Sequence, residues 1–196
     1  MKRKYNYIVG IDEAGRGPLA GPITFAFVAC PARLHRKIFK NIRDSKKLTP
    51  RKREEWFKFL KAHPKLAYGV ASVGPKIIDE KGISYASRLA INRLTRKFQF
   101  RPLKVFLDGG LKAPEQFPQK TVIKGDEKIP VIAAASIIAK VTRDRKMTRL
   151  AKKFPEYGFE IHKGYGTKKH LTQLAKHGPS AIHRTTFSPV TKLLKV

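Results

Sequence analysis

Cysteine is nearly absent: Cys30 is the only one in 196 residues. A disulfide within the chain is therefore excluded, and so is a zinc site built on several thiolates. No apolar run approaches the roughly 18 residues that a membrane-spanning helix needs. The basic start Met1-Lys2-Arg3-Lys4 leads into a short apolar run that ends at Asp12, which is not a signal-peptide pattern. The expectation is a soluble, cytoplasmic protein with no membrane partner. Repeats and low-complexity linkers are missing too. Acid is the other scarcity, with 14 Asp and Glu against 43 Lys and Arg, a net charge of +29. Self-repulsion of that size disfavours a compact chain, and a polyanionic partner relieves it. Nucleic acid fits best because phosphate neutralisation gives sequence-independent affinity. An anionic membrane surface or a ribosome fits the charge equally well. A hydrophobic content of 41% still points to a globular chain, long enough for one domain with a sizeable core.

The few acids matter by their placement. Residues 5–13 form an apolar run that closes on Asp12-Glu13, followed by the loop Ala14-Gly15-Arg16-Gly17-Pro18. The run has the composition of a buried strand bounded by turn residues. Side chains alternate faces along a strand, so the two acids point to opposite sides. A carboxylate at the end of an apolar strand is costly unless it is paired or binds a metal. The alternative is a pair of solvated strand-end residues.

The remaining elements follow from periodicity and punctuation. Residues 23–29 form a second strand, antiparallel to the first, and 34–43 a short basic helix. Thr49-Pro50 opens a helix that carries Trp56, Phe57 and Leu60 on one face and stops before Pro64. A third strand spans 66–73. Gly74-Pro75 breaks it, a short helix reaches Lys81, and a second covers 83–98 with Arg88, Arg93, Arg96 and Lys97 on its outer face. Strands are expected at 103–107 and 121–123, a long helix from Pro130 towards Phe154, and a last helix at 167–177. The tail, 180–196, carries no assignable pattern. Interleaved strands and helices make the class α/β with a mixed sheet. One domain covers 1–196, with the sheet core in about 1–150 and a helical part in about 151–196.

The carboxylate motif recurs. Asp12-Glu13, Asp108 and Asp126 each follow a short apolar run and sit beside glycine or turn residues. Strands ending at one sheet edge bring such acids together. Hard cations such as Mg²⁺ take oxygen ligands and keep several waters, so few carboxylates suffice. Gly15-Arg16-Gly17 sets a guanidinium, suited to bidentate phosphate contact, between residues that admit close backbone approach. Ser45, Lys46 and Lys47 offer a hydroxyl and two cations to another phosphate. Tyr165, flanked by Gly164 and Gly166, is either an ordinary turn tyrosine or a ring that stacks on a sugar or base.

Together these stretches resemble the ribonuclease HII family, the bacterial type 2 ribonucleases H. The resemblance runs through Gly10-Ile11-Asp12-Glu13-Ala14-Gly15-Arg16-Gly17-Pro18-Leu19-Ala20-Gly21-Pro22, Asp44-Ser45-Lys46-Lys47-Leu48 and Leu107-Asp108-Gly109. It continues through Lys124-Gly125-Asp126, the stretch Ala133 to Asp144, Gly164-Tyr165-Gly166-Thr167 and Ile182-His183-Arg184. It implies a ribonuclease H-like fold: a five-stranded mixed sheet flanked by helices, with a helical C-terminal extension. It implies endonucleolytic cleavage of RNA in RNA/DNA hybrids, and cutting 5′ of single ribonucleotides embedded in duplex DNA. By the resemblance the catalytic, metal-binding acids are Asp12, Glu13, Asp108 and Asp126, holding two Mn²⁺ or Mg²⁺ ions. Gly15, Arg16 and Gly17 sense the 2′-hydroxyl, Tyr165 stacks on the sugar 3′ of the junction, and Ser45, Lys46 and Lys47 hold the duplex. A monomer acting on hybrid and ribonucleotide-containing DNA is the implied state. The family's usual Asp-Gly-Asn stands here as Asp108-Gly109-Gly110. Two other classes remain: a non-catalytic basic nucleic-acid-binding protein, and a different metal nuclease or strand-transfer enzyme of this fold.

Overall fold

β2 (Ile23–Pro31) is buried at every position, which a strand achieves only with neighbours on both edges and both faces. In the computed structural model, which describes residues 6–40, 42 and 48–194, those neighbours are present. β1 (Tyr7–Ala14) pairs antiparallel with β2, and β2 pairs antiparallel with β3 (Ala67–Val73). On its other edge β1 runs parallel to β4 (Pro102–Asp108), and β4 to β5 (Gln119–Val122). The order β3-β2-β1-β4-β5 puts the acid-tipped strand in the middle of the expected five-stranded mixed sheet.

Period-2 alternation divides the apolar residues between two faces. Val9, Ile11, Phe25, Phe27, Val105 and Leu107 pack against Ile78, Ala86, Ala90, Ile91 and Leu94 of α3 (Pro75–Thr95). Ala26, Val28 and Cys30 face the other way, onto α5 (Pro130–Ala151) and onto Phe57 and Leu60 of α2 (Pro50–Ala62). The Thr49 hydroxyl caps α2 as the sequence implies, accepting from Lys52 N–H at 3.3 Å. α3 contains the expected break, because Gly82 at φ 81° interrupts its helical backbone. The basic helix expected at 34–43 shortens to one turn, α1 (His35–Ile38); residues 41 and 43 lie outside the described ones. After the single turn α6 (Phe159–His162), the helix expected at 167–177 is α7 (Lys168–His177), capped by Thr167. The unassigned tail adds a bridge from His183 to Ala20 and a closing turn, α8 (Val190–Leu193). Among the described residues, no helix is long and apolar enough to cross a membrane.

α5 comes very close to the central strand because its first turns are alanine-rich and Gly10 lacks a side chain. A Cβ at Gly10 would lie 2.2 Å from the Val131 carbonyl oxygen and 2.6 Å from Ile132 N. Those are backbone atoms and cannot rotate away. Gly10→Ala is therefore expected to cost upward of about 3 kcal/mol, since the helix must lift off the sheet. The urea unfolding midpoint measures this, and an unchanged midpoint would mean that the helix has room to shift.

Candidate active site

Asp12 and Glu13 end β1 on opposite faces. Asp12 is turned towards α5 and is 4% exposed. Its Oδ1 accepts the Glu13 N–H at 2.7 Å, and the Ser136 hydroxyl of α5 bonds the same carboxylate. Glu13 opens on the α3 side into a cleft of about 450 Å³, shared with Arg16, Ser87, Arg88 and Asp108. Its Oε1 lies 3.9 Å from Arg16, and its Oε2 is buried without a hydrogen-bond partner. The parallel neighbour β4 ends beside them in Asp108. Burial, then the Glu13 charge, with Asp108 also contributing, raises the Asp12 carboxyl well above its usual range. Burial raises Glu13 as well, and Arg16 only partly offsets it.

Asp126 reaches this edge by a different route from the one expected. β5 ends at Val122, so the expected strand at 121–123 is displaced, and Asp126 is not a strand-end residue. β5 is a short edge strand without a buried position, so no alternation marks its end. The chain turns through Lys124, in the left-handed conformation at φ 53°, into the single turn α4 (Gly125–Lys128). Gly125 N–H donates to Asp108 Oδ1 at 2.6 Å, which leaves the buried Asp126 one residue from that bond. The four predicted acids thus gather at one end of β1 and β4.

The donor set is all oxygen, largely desolvated and mutually repulsive, which suits a hard divalent cation. Among the described residues no three His, Cys, Asp or Glu side chains form a ready-made metal cluster. Mg²⁺ is commonly held through one or two carboxylates with waters completing its shell, so a closed protein cage is not needed.

The loop after β1 rests on two arginines that sequence reasoning assigned no role. Arg184 is fully buried and donates to the carbonyls of Arg16 (2.9 Å), Gly15 (2.6 Å) and Gly21 (3.0 Å). Arg143, also fully buried, donates to Pro22 (2.9 Å) and Ala20 (3.2 Å). Burial, reinforced by neighbouring Arg143, pulls Arg184 down to about 9, which leaves it charged at neutral pH. Gly15 fits this cradle because it has φ +92° and because a Cβ would stand 2.0 Å from Arg143 Nε. The only signal in sequence was their presence in the stretches Ala133 to Asp144 and Ile182-His183-Arg184. In so basic a chain neither stands out.

With its carbonyls turned inward, the loop presents the half-exposed Arg16 side chain outward, 52% accessible. Tyr165 flanks it, 41% exposed, with Lys140 Nζ 5.5 Å and Arg143 Cζ 5.8 Å from its ring centre. Leu19 N–H donates to the Gly164 carbonyl at 2.8 Å, tying the tyrosine loop to the glycine loop. Ser45, Lys46 and Lys47 lie outside the described residues. Ser87, on the wall of the cleft, donates its hydroxyl to the Ile83 carbonyl at 2.8 Å within its own helix.

The family model for ribonuclease HII matches residues 9–190. The chain is 47% identical over 188 residues to the ribonuclease HII of Caldicellulosiruptor bescii, covering 95% of this chain and 89% of that one. The chain belongs to the ribonuclease HII family. A structure of ribonuclease H2 from Pyrococcus horikoshii superposes with a TM-score of 0.79 at 28% identity, covering 96% of this chain and 97% of the other. Bst-RNase HIII in complex with Mn²⁺ has a TM-score of 0.69 at 17% identity, covering 99% and 71%, a likeness of fold alone. Fold and family agree: this is a ribonuclease H enzyme with the ribonuclease H-like fold.

Proposed function

We propose that the chain hydrolyses the RNA strand of RNA/DNA hybrids and cuts on the 5′ side of single ribonucleotides embedded in duplex DNA. In the cell this removes misincorporated ribonucleotides and RNA primers, in the cytoplasm and as a monomer. The observation that carries the reading is the placement of the Gly15-Arg16-Gly17 loop between the acid-tipped strand β1 and Tyr165. Asp12, Glu13, Asp108 and Asp126 would hold Mn²⁺ or Mg²⁺, and the repulsion among Asp12, Glu13 and Asp108 is the physical reason a cation is welcome there. Two such ions supply the charge that stabilises both the attacking and the leaving oxygen of a phosphoryl displacement.

The chain's own groups do the rest. Backbone N–H groups of Gly15 and Gly17 and the Arg16 guanidinium bind the ribose 2′-hydroxyl and the adjoining phosphate, the one feature that separates RNA from DNA at a site. Arg184 and Arg143 hold that loop still by occupying its carbonyls. Tyr165 stacks on the sugar 3′ of the ribonucleotide, so a deoxyribose there is favoured and the RNA-to-DNA junction becomes the preferred target. Ser45, Lys46 and Lys47 contact the duplex backbone without reading sequence.

A substrate panel tests this. With Mg²⁺ or Mn²⁺, the protein is expected to cut duplex DNA carrying one ribonucleotide and a long hybrid, and to leave all-DNA duplex intact. Equal cutting of all-DNA duplex would make it a different metal nuclease, and binding without cutting would make it a nucleic-acid-binding protein. Tyr165→Ala is expected to slow junction cutting roughly tenfold, the worth of one stacked ring, with less effect on the long hybrid. An unchanged ratio of the two rates would remove the stacking role.

A further inference from the structure

Behind Tyr165 lies a buried cluster of three of the chain's six histidines, which the reaction outlined above does not use. His170 is fully buried, His183 is 2% exposed and His162 is 7% exposed. They sit in the small C-terminal core formed by Leu19, Met147, Tyr157, Phe159 and Leu174. The His162 and His170 rings stack at 4.3 Å.

Their hydrogen bonds have only one consistent direction. The Ser180 backbone N–H, which cannot accept, donates to His183 Nδ1 at 2.9 Å, and the Ser180 hydroxyl, which can also donate, lies 2.9 Å from the same nitrogen. His183 Nδ1 is therefore bare and its proton sits on Nε2. That Nε2–H faces His170 Nε2 at 3.0 Å, which must accept. The His170 proton is then on Nδ1, which donates to the Tyr165 carbonyl at 2.9 Å. Burial pushes both rings down to about 4, which keeps them neutral and the direction fixed at ordinary pH. His162 holds the same loop two peptides earlier, at the Lys163–Gly164 bond. Its Nε2 donates to the Tyr157 carbonyl at 2.7 Å, so its Nδ1 accepts the Gly164 N–H at 3.2 Å.

We infer that His183 and His170 form a one-way hydrogen-bond relay from Ser180 that fixes the Tyr165 backbone and so sets how firmly the ring meets substrate. The inference rests on the stacking role proposed for Tyr165. The histidines are positioning residues, since neither touches the reacting atoms. The relay also explains why a half-exposed ring on a glycine-flanked loop can discriminate: besides the local Thr167 N–H at 2.8 Å, its carbonyl is held by the buried His170, and His162 holds the loop at Gly164.

The test is the ratio of single-ribonucleotide cutting to long-hybrid cutting. In His170→Asn the amide nitrogen stands in for Nδ1 and keeps the bond to the Tyr165 carbonyl but loses His183, so that variant is expected to fall between wild type and His170→Ala; a wild-type ratio would remove His183 from the relay. His170→Ala is expected to lower it roughly fivefold, the worth of one hydrogen bond, and to add nothing in a Tyr165→Ala background. His170→Asn falling as far as His170→Ala at equal melting temperature would overturn the relay. A second readout needs no variant: ¹⁵N-detected imidazole spectra of the wild-type protein should show His183 protonated at Nε2 and His170 at Nδ1. The opposite tautomers would overturn the relay even if Tyr165→Ala behaves as proposed. If Tyr165→Ala leaves the ratio unchanged while the tautomers are as stated, the stacking reading fails and the relay stands as a tether of the loop.

Discussion

Asp12→Asn is expected to abolish cleavage and yet raise the melting temperature of the metal-free protein. Both outcomes have one cause. Asp12 is buried beside Glu13 and Asp108, and its carboxyl is raised well above the usual range. A raised acid means that the folded state holds a proton which the unfolded chain has released. Metal-free stability therefore falls as pH rises from the ordinary carboxylate range through the raised values of Asp12 and Glu13. Asparagine removes that charge while keeping an acceptor for Glu13 N–H and an amide for Ser136. The loss in rate should be about a thousandfold or more, because the cations that neutralise developing charge are worth several kcal/mol. Wild type should gain about 5–10 °C in melting temperature at a hundredfold excess of Mn²⁺ over its Kd, and the variant almost none. A stability curve that rises with pH across this range, or a variant that still gains with Mn²⁺, would contradict the metal site.

Arg184→Lys is expected to damage the enzyme nearly as much, although charge is kept. A lysine ammonium cannot reach the carbonyls of Gly15, Arg16 and Gly21 at once, because their spacing matches the planar fork of a guanidinium. Several buried carbonyls lose a charged donor, at about 1.5–3 kcal/mol for each such bond. A net loss of about 3 kcal/mol lowers the melting temperature by about 10 °C. Below the transition the loop no longer keeps its carbonyls inward, so single-ribonucleotide cutting should fall by roughly a hundredfold while Mn²⁺ binding, read by thermal shift, persists. Full activity in a folded Arg184→Lys protein would show that the loop holds its own shape.

Asp12, Glu13 and Asp108 were legible because each ends a strand that the core demands, and a rare acid on an apolar run needs a reason. The helix break at Gly82 was legible for the same kind of local reason. Asp126 was expected at the end of a strand and lies instead in a helical turn: β5 is a short edge strand with no buried position, and the left-handed residue before that turn is Lys124 rather than a glycine. Arg143 and Arg184 were invisible as supports because their acceptors lie 121 to 169 residues away in sequence. The histidine relay was invisible for the same reason, since 162, 170 and 183 form no spacing motif. The tail left unassigned proved to be the underside of the glycine loop, through Arg184. Asp79 anchors it through four bonds of 2.7–3.1 Å from the N–H and hydroxyl groups of Thr185 and Thr186.

In the proposed reaction the acids support attack by water on the phosphodiester 5′ of a ribonucleotide. The position and end groups of the cut in duplex DNA carrying one ribonucleotide test it most directly. The leaving oxygen at that bond belongs to a deoxyribose, so no neighbouring 2′-hydroxyl can be the nucleophile. The expected result is a divalent-metal-dependent cut leaving a 3′-hydroxyl on the deoxynucleotide and a 5′-phosphate on the ribonucleotide, absent in Asp12→Asn. A cut on the 3′ side of the ribonucleotide leaving a 2′,3′-cyclic phosphate, unchanged in Asp12→Asn, would contradict it.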